Sequence, residues 1–234
     1  MNSISVINLA VRFNALDVLK GVNFTVCGGE FIAIVGKSGE GKSTLLHALA
    51  GFIPYKGTVA VSGVVGMVFQ SHAVFPWLTV EENIGFGLNR VSRGNRADII
   101  EKHLKLIGME EKRRAYPAEL SGGQVQRVAL AQTLAHDPDV ILMDEPYGAL
   151  DAYTREKMQE WLLQVWMEHK KTVVFVTHSI EEAILLADRI LLLKEGIISD
   201  EFRIPFPRPR ALTLKYHEPF NELERLIHEK LQTG

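Results

Sequence analysis

Apolar and polar residues follow one another in two distinct ways along the chain. Residues 22–26 alternate between apolar and polar, as a strand with one buried face does. Residues 31–35 (FIAIV), 140–143 (VILM) and 172–176 (TVVFV) are apolar throughout, which is typical of strands covered on both faces. Helical patterns occur at 43–51, 98–107, 125–136 and 153–170. Buried strands that alternate with helices predict an α/β fold with a mainly parallel sheet.

The central and C-terminal parts of the chain depart from this alternation. Residues 71–137 carry several helical patterns and no buried-strand pattern, which predicts a helical subdomain inserted into the α/β core. Residues 57–69 (GTVAVSGVVGMVF) indicate a short hairpin that turns near Ser62 and Gly63. The predicted organisation is therefore one domain, with core residues 1–70 and 138–200, helical residues 71–137 and a tail at 201–234.

The predicted tail contains three prolines and then a helix. Pro205, Pro207 and Pro209 preclude regular helix just after Asp200. A final helix is expected from Pro219, and its apolar side is formed by Phe220, Leu223, Ile227 and Leu231.

Composition and charge narrow the class of protein. The chain has 234 residues, 47% of them hydrophobic, which is enough for a sizeable core. Its net charge of −2 does not favour a nucleic-acid-binding surface. We interpret the short basic runs at 112–114 and 203–210 as solvated surface. The single cysteine, Cys27, excludes a disulfide within the chain and fits a reducing compartment.

The longest apolar runs also limit any membrane role. They hold about five residues, whereas a membrane-spanning helix needs roughly 20. Any membrane role is therefore expected to arise by association with other chains.

Residues 36–44 (GKSGEGKST, here the phosphate loop) fit the pattern G-x-x-x-x-G-K-[ST] directly after a buried strand and before a helix. Glycines let the backbone turn its amides inward around phosphates, and the helix start adds its positive end. The predicted nucleotide-binding residues are Gly36, Lys37, Ser38, Gly39, Glu40, Gly41, Lys42, Ser43 and Thr44. Lys42 is expected on the β- and γ-phosphates and the Ser43 hydroxyl on Mg²⁺.

Two carboxylates follow the strand at 140–143. Ligands of parallel sheets bind at the carboxyl ends of the strands, where Asp144 and Glu145 are expected to lie. Asp144 is predicted to hold Mg²⁺ through water, and Glu145 to polarise the attacking water. An acidic pair that merely caps a strand is the structural alternative, which the phosphate loop upstream disfavours.

The segment LSGGQ at 120–124 (here the signature segment) resembles the signature of the ABC (ATP-binding cassette) ATPases, and QRVALAQTLAHDP continues the similarity. Ser121, Gly122, Gly123 and Gln124 offer a hydroxyl and amides at a predicted helix start, which is an anion-binding arrangement. The resemblance extends from about Ile4 to Arg210. It implies a head-to-tail dimer in which the phosphate loop of one chain faces the signature segment of the other across ATP.

The resemblance implies four further site residues. Gln70 is similar to the glutamine that reaches Mg²⁺ and the water, and His178 to a histidine that contacts the γ-phosphate. Asp151 closes GALD at 148–151, a loop that crosses the dimer interface in this family. Phe13 aligns with the aromatic residue that stacks on adenine, although an aromatic side chain there could instead pack in the core.

Two residues differ from the common family pattern. Gln132 stands where arginine is frequent, and Ser179 follows the histidine where aspartate is frequent. Neither position is expected to perform chemistry. The catalytic set implied by the resemblance is therefore complete: Lys42, Gln70, Glu145 and His178, with Ser43, Gln70 and Asp144 on the metal.

The expected activity is hydrolysis of MgATP coupled to transport through a separate permease. The segments FPWLTVEENIGFGL (75–88) and VTHSIEEAILLADRI (176–190) are similar to bacterial importers of nitrate, sulfonate and taurine, a group that includes bicarbonate and thiamine-pyrimidine carriers. The resemblance implies a second ATPase chain, permease subunits and a solute-binding protein at the cytoplasmic face of the inner membrane. Homodimer and heterodimer stay open. A non-transport ABC ATPase and a silent regulator are the alternatives.

Overall fold

The computed structural model describes residues 2–70, 74–88, 92–148 and 150–232. The strands are β1 (Asn2–Phe13), β2 (Leu16–Cys27), β3 (Phe31–Val35), β4 (Lys56–Val61), β5 (Val65–Val68), β6 (Val140–Asp144), β7 (Thr172–Thr177), β8 (Arg189–Lys194) and β9 (Ile197–Arg203). The helices are α1 (Lys42–Leu49), α2 (Val80–Ile84), α3 (Arg93–Ile107), α4 (Gly122–Leu134), α5 (Ala152–His169), α6 (Ile180–Leu186) and α7 (Glu218–Gln232).

A six-stranded sheet forms the centre of the fold, in the order β5-β6-β7-β3-β8-β9. The first five strands are parallel and β9 runs antiparallel to β8. Every residue of β3, β6 and β7 is buried, as their uninterrupted apolar patterns predict. Alternate residues of each strand point to opposite faces: Phe31 and Val35 pack with α5 and α6, and Ile32 with α1 and the second sheet.

The second sheet is antiparallel, with the order β2-β1-β4, and it corrects the predicted hairpin at 57–69. β4 pairs with β1, whereas β5 pairs in parallel with β6 in the central sheet. The turn at Ser62 and Gly63 therefore carries the chain from one sheet to the other. The Asp139 carboxylate accepts a hydrogen bond from the Val64 amide (2.8 Å) at this crossing. The turn is present where the sequence predicts it. However, β5 pairs with the distant β6, and this pairing places β5 at the edge of the central sheet next to a fully buried strand.

Helices α2, α3 and the outer face of α4 share a third hydrophobic cluster. Its buried members include Val80, Ile84, Leu104 and Val128. Within 74–88 and 92–137, the described residues form helices and turns and contain no strand, as the sequence predicts. The Trp161 indole donates a hydrogen bond to the Leu106 carbonyl (3.2 Å), which ties α3 to the core helix α5. No helix among the described residues is long and apolar enough to span a membrane.

Part of the tail packs against the core. Arg208 and Arg210 have low exposure, which corrects the interpretation of the basic run at 203–210 as solvated surface, whereas Arg203 is exposed as predicted. Arg210 is only 7% exposed and donates to the carbonyls of Ile184, Leu185 and Ala187 at the end of α6. Burial, and next the charge of Arg208, lower the pKa of Arg210 to about 10. Helix carbonyls without an intrahelical partner attract a guanidinium, so this arginine caps α6.

Candidate functional site

The phosphate loop connects β3 to α1 at the carboxyl end of the central sheet. Gly41 adopts a φ of 96°, which favours glycine, and a side chain there would lie 2.9 Å from Val18. The Lys42 side chain is buried, and its Nζ donates to the carbonyls of Gly36 (2.9 Å) and Lys37 (3.0 Å). Lys37, Ser38 and Gly39 are exposed at the rim. The loop thus wraps around a single ammonium group.

Asp144 and Glu145 end β6 beside this loop. The Ser43 hydroxyl donates to Asp144 Oδ1 (3.1 Å). Burial raises the pKa of Asp144 above its ordinary value; the hydrogen bond from Ser43 opposes the shift, and the Glu145 charge adds to it. Glu145 adopts a φ of 42°, an uncommon conformation for a residue with a side chain, and its amide bonds to the Val176 carbonyl (2.9 Å). Such strained residues concentrate at functional sites.

Glu145 lies between Lys42 and His178. Its Oε1 is 3.7 Å from Lys42 Nζ, and its Oε2 is 3.0 Å from His178 Nδ1. His178 directly follows β7 and is more than half exposed, whereas Glu145 is 18% exposed. Three strand ends thus bring together a cation, two carboxylates and an imidazole, as the sequence predicts for Lys42, Asp144, Glu145 and His178.

The oxygen donors at this point fit a magnesium ion that is shared with substrate. Ser43 Oγ and Asp144 Oδ1 face one another, and Mg²⁺ is usually held by one or two protein oxygens together with phosphate and water. A cluster of three or more acidic, histidine or cysteine ligands is absent from the described residues, so a purely protein-built metal cage does not arise there. Gln70 follows β5, the neighbour of β6, but is exposed and makes no hydrogen bond to described residues.

The signature segment forms the start of α4. The Ser121 hydroxyl accepts the Gln124 amide (3.4 Å), and the Gln124 side chain accepts the Ser121 amide (3.0 Å), which is a reciprocal capping box. Lys112 donates to the same Gln124 oxygen (3.2 Å). A side chain at Gly123 would lie 2.5 Å from the Thr154 methyl group, so the glycine lets α4 approach the start of α5.

Asp151 caps α5 next to the signature segment and accepts the Thr154 amide (3.0 Å). A hollow of about 270 Å³ lies between the two helix starts. Among the described residues, no hydrogen bond or ion pair connects the phosphate loop with Ser121, Gln124 or Asp151. The chain thus holds two separate parts of the predicted site.

Phe13 ends β1 and is 46% exposed, so it is not a core residue. Its cross-strand partner, Leu16, is also exposed. Of the two interpretations of Phe13, packing in the core is therefore wrong, while stacking on adenine stays a prediction.

Two residues near the site, Glu40 and Glu182, have roles that the sequence analysis did not predict. Glu40 accepts a hydrogen bond from the Glu195 amide in the β8–β9 turn, a pairing with no local signal. Glu182 lies buried behind His178. The spacing Ser179-x-x-Glu182 could have indicated a helix start there. Ser179 does cap α6, accepting the Glu182 amide (3.2 Å), so serine performs the capping that an aspartate could provide.

A second hollow, of about 420 Å³, lies on the side of the molecule formed by β5 and α4. Its walls include Val64, Met67, Phe69, Phe75, Gln132 and His136. Trp77 and Phe86 are 69% and 47% exposed and contact Phe75, with ring centroids 5.5 and 4.1 Å away. An exposed aromatic group therefore borders this hollow, and Gln132, one of the two unusual residues, lines it.

Comparison with known proteins identifies the family. Residues 19–148 match the ABC transporter family. The chain is 41% identical to an aliphatic sulfonates import ATP-binding protein of Paracoccus denitrificans, over 98% of this chain and 93% of the relative. It is 46% identical to a taurine import ATP-binding protein of Pelagibacter ubique, over 82% of this chain and 77% of the relative. It is 43% identical to a bicarbonate transport ATP-binding protein of Synechococcus elongatus, over 82% of this chain and 75% of the relative.

The fold has a solved counterpart as well. A dimeric ATP-binding cassette in a post-hydrolysis state, bound to ADP and Pi, superposes with a TM-score of 0.76 at 32% identity. The match covers 87% of this chain and all of the other. The chain belongs to the ABC transporter family, as one of its ATP-binding and ATP-hydrolysing cassettes.

Proposed function

We propose that this chain hydrolyses MgATP to drive import of a small anion through a separate permease. The observation that carries the proposal is the position of Glu145, which lies 3.7 Å from Lys42 and 3.0 Å from His178, next to the hydrogen-bonded pair of Ser43 and Asp144. The names of the relatives, which refer to sulfonates, taurine and bicarbonate, support a small anion such as nitrate, sulfonate or taurine.

The residues would share the chemistry as follows. The phosphate loop and Lys42 hold the β- and γ-phosphates, and Glu145 polarises a water for in-line attack on the γ-phosphate. His178, through its contact with Glu145 Oε2, fixes that carboxylate and faces the γ-phosphate. Positioning and charge neutralisation account for most of the catalysis, because phosphoryl transfer needs little covalent help from the protein.

Ser43, Asp144 and Gln70 would hold the magnesium ion. When bound, it neutralises charge on the β- and γ-phosphate oxygens. The hydrogen bond between Ser43 and Asp144 places these two oxygens next to one another. Gln70 is exposed and follows β5, the neighbour of β6, which supports its predicted contact with the metal.

The complete site requires two copies of the chain. Ser121, Gly122, Gly123 and Gln124 of one copy would cover the phosphates held by the other, and Asp151 would lie at the same interface. The dimeric form of the structural neighbour supports this arrangement. Because the chain carries both parts, a homodimer suffices.

The 420 Å³ hollow is the proposed contact with the permease. Its apolar walls, together with the exposed Trp77 and Phe86, would bind a helix of the permease that presents apolar side chains. The separate hydrophobic cluster of α2, α3 and α4 supports residues 71–137 as a helical subdomain beside the core. In this arrangement the chain is peripheral, at the cytoplasmic face of the cell membrane, and works with a solute-binding protein on the other side.

Replacement of Glu145 by glutamine tests the proposed hydrolysis. Loss of general-base help should slow turnover by ~10²–10⁴ while ATP binding stays within about twofold, so the variant should accumulate as an ATP-bound dimer. Phosphate release gives the rate, equilibrium titration the affinity, and size-exclusion chromatography with light scattering the dimer. Glu168→Gln, an exposed change on α5, is the matched control. Wild-type hydrolysis by the Glu145 variant would contradict the proposed role.

A further inference from the structure

A buried carboxylate, that of Glu182, contacts the residue before His178 and is not among the residues proposed to bind ATP. Glu182 is 6% exposed. Its Oε2 accepts the Thr177 hydroxyl (2.6 Å), and its Oε1 accepts the Gln159 amide (3.2 Å). Burial raises the pKa of Glu182, so a charge at this point is costly unless it is paired. Packing alone does not explain a buried carboxylate at this position, because an apolar side chain would fill the same space at a lower cost in free energy.

Glu182 holds both chain neighbours of His178. Thr177, which precedes the histidine, donates its hydroxyl proton to the carboxylate and accepts the Ser179 amide (3.0 Å). Ser179, which follows it, accepts the Glu182 amide (3.2 Å). These three bonds close a ring around residues 177–182, so the backbone that carries the imidazole is fixed from both sides. The imidazole itself then meets Glu145 at 3.0 Å.

Arg155 connects this ring with the segment in front of α5. Its Nε lies 3.7 Å from Glu182 Oε1, and a terminal nitrogen of the same guanidinium donates to the Leu150 carbonyl (3.1 Å). Leu150 immediately precedes Asp151, the cap of α5. Arg155 Nε makes no hydrogen bond among the described residues, so its contact with Glu182 is an ion pair. The guanidinium is planar and rigid, so a displacement at the Leu150 end also moves the charge that faces Glu182.

We propose that Arg155 and Glu182 are positioning residues that hold His178 against Glu145 and couple its position to the segment ending at Asp151. The proposal rests on the proposed function, since it requires His178 to take part in hydrolysis and Asp151 to lie at the dimer interface. Contact of a partner chain with Asp151 then acts on the imidazole through Leu150, Arg155 and Glu182. A contact at Asp151 on the dimer interface thereby affects the position of His178 in the same chain.

The test is a double-mutant cycle with Arg155→Met, Glu182→Gln and both changes together. Each single change should lower kcat by about tenfold and leave the KM for MgATP within about twofold, because neither residue touches the nucleotide. The double variant should be no slower than the poorer single variant, because both changes break one link. Thermal melting of each variant measures its loss of stability separately from its loss of kcat.

Two further variants separate this inference from a general loss of stability and from the proposed function. Arg189→Met breaks an ion pair of low exposure with Glu30 at the opposite end of the sheet, and should lower the melting temperature without lowering kcat. His178→Ala should lower kcat at least as much as the Arg155 and Glu182 variants.

Three outcomes would overturn the inference. Unchanged kcat in the Arg155 and Glu182 variants, with a collapse in His178→Ala, would remove it and leave the proposed function intact. Effects that multiply in the double variant to about a hundredfold would show that the two residues act separately. Wild-type kcat in His178→Ala would end the proposed role of the histidine together with the inference.

Discussion

The phosphate loop and the signature segment are both helix starts, but their surroundings differ. Around the phosphate loop, Lys42 is within ion-pair distance of Glu145, and Ser43 is hydrogen-bonded to Asp144. At the signature segment, Ser121 and Gln124 bond to one another, and Lys112 donates to the Gln124 side chain. Among the described residues, the second helix start thus meets no catalytic side chain. Nucleotide binding is therefore expected of one chain, and hydrolysis of two.

The geometry of the sheet explains this difference. Parallel strands end at one edge, so the residues that follow β3, β6 and β7 meet without help from another chain. The starts of α4 and α5 instead lie against one another, where Gly123 approaches Thr154.

The difference between the two helix starts is tested most directly by comparing two variants, Ser121→Arg and Lys42→Ala. Ser121→Arg should lower kcat by ~10²–10³, the usual cost of losing a donor to transition-state charge, and leave ATP binding by the isolated chain within about twofold. Lys42→Ala should weaken ATP binding itself by ~10–100-fold, because hydrogen bonds to charged groups contribute ~1.5–3 kcal/mol. Equilibrium titration and phosphate release measure the two effects.

The matched control is Ser92→Arg, the same substitution at the cap of α3. It should leave both binding and hydrolysis unchanged. Equal loss of ATP affinity in the Ser121 and Lys42 variants would refute the division of labour between the two helix starts.

Gly123→Ala sharpens the comparison with a smaller change at the signature segment. The added methyl group meets the Thr154 methyl at 2.5 Å, so α4 must shift from α5. Hydrolysis should fall roughly tenfold, less than the ~10² that a 1 Å misplacement can cost. Adding Thr154→Ser removes the opposing methyl group and should restore most of the rate. Failure of this rescue in steady-state assays would mean that the glycine acts through its backbone alone.

Phe13→Ala should have the smallest effect, and it should fall on binding. Stacking of an aromatic ring on a base contributes ~1–3 kcal/mol, so ATP affinity should drop about fivefold or more, while Phe13→Trp retains it. Leu16→Ala, the exposed cross-strand neighbour, is the control. Isothermal titration with ATP and GTP should show a similar loss for both nucleotides, because every base offers a flat face. An unchanged affinity would assign the ring to another partner.

The sequence predicted which segments form the site more reliably than it predicted which segments contact one another in the fold. The pattern at 36–44 and the acidic end of β6 were readable because each lies within a few residues of a buried strand. Residues 57–69 predict a hairpin, and this prediction is wrong because a turn signal at Gly63 does not reveal that β5 pairs with β6, some 75 residues away. The basic run at 203–210 predicts solvated arginines, but the carbonyl partners of Arg210 lie more than 20 residues away at the end of α6.

The amino-acid sequence alone determined the nucleotide-binding chemistry, the alternation of buried strands with helices, and the presence of both parts of the site. Those properties depend on residue type at short spacing, which a chain carries before it folds. Tertiary structure decided that Glu145 lies between Lys42 and His178, that β4 and β5 belong to different sheets, and that Arg155 and Glu182 connect α5 with His178. Such contacts join residues far apart in sequence, so they arise only when burial of the apolar strands brings their ends together.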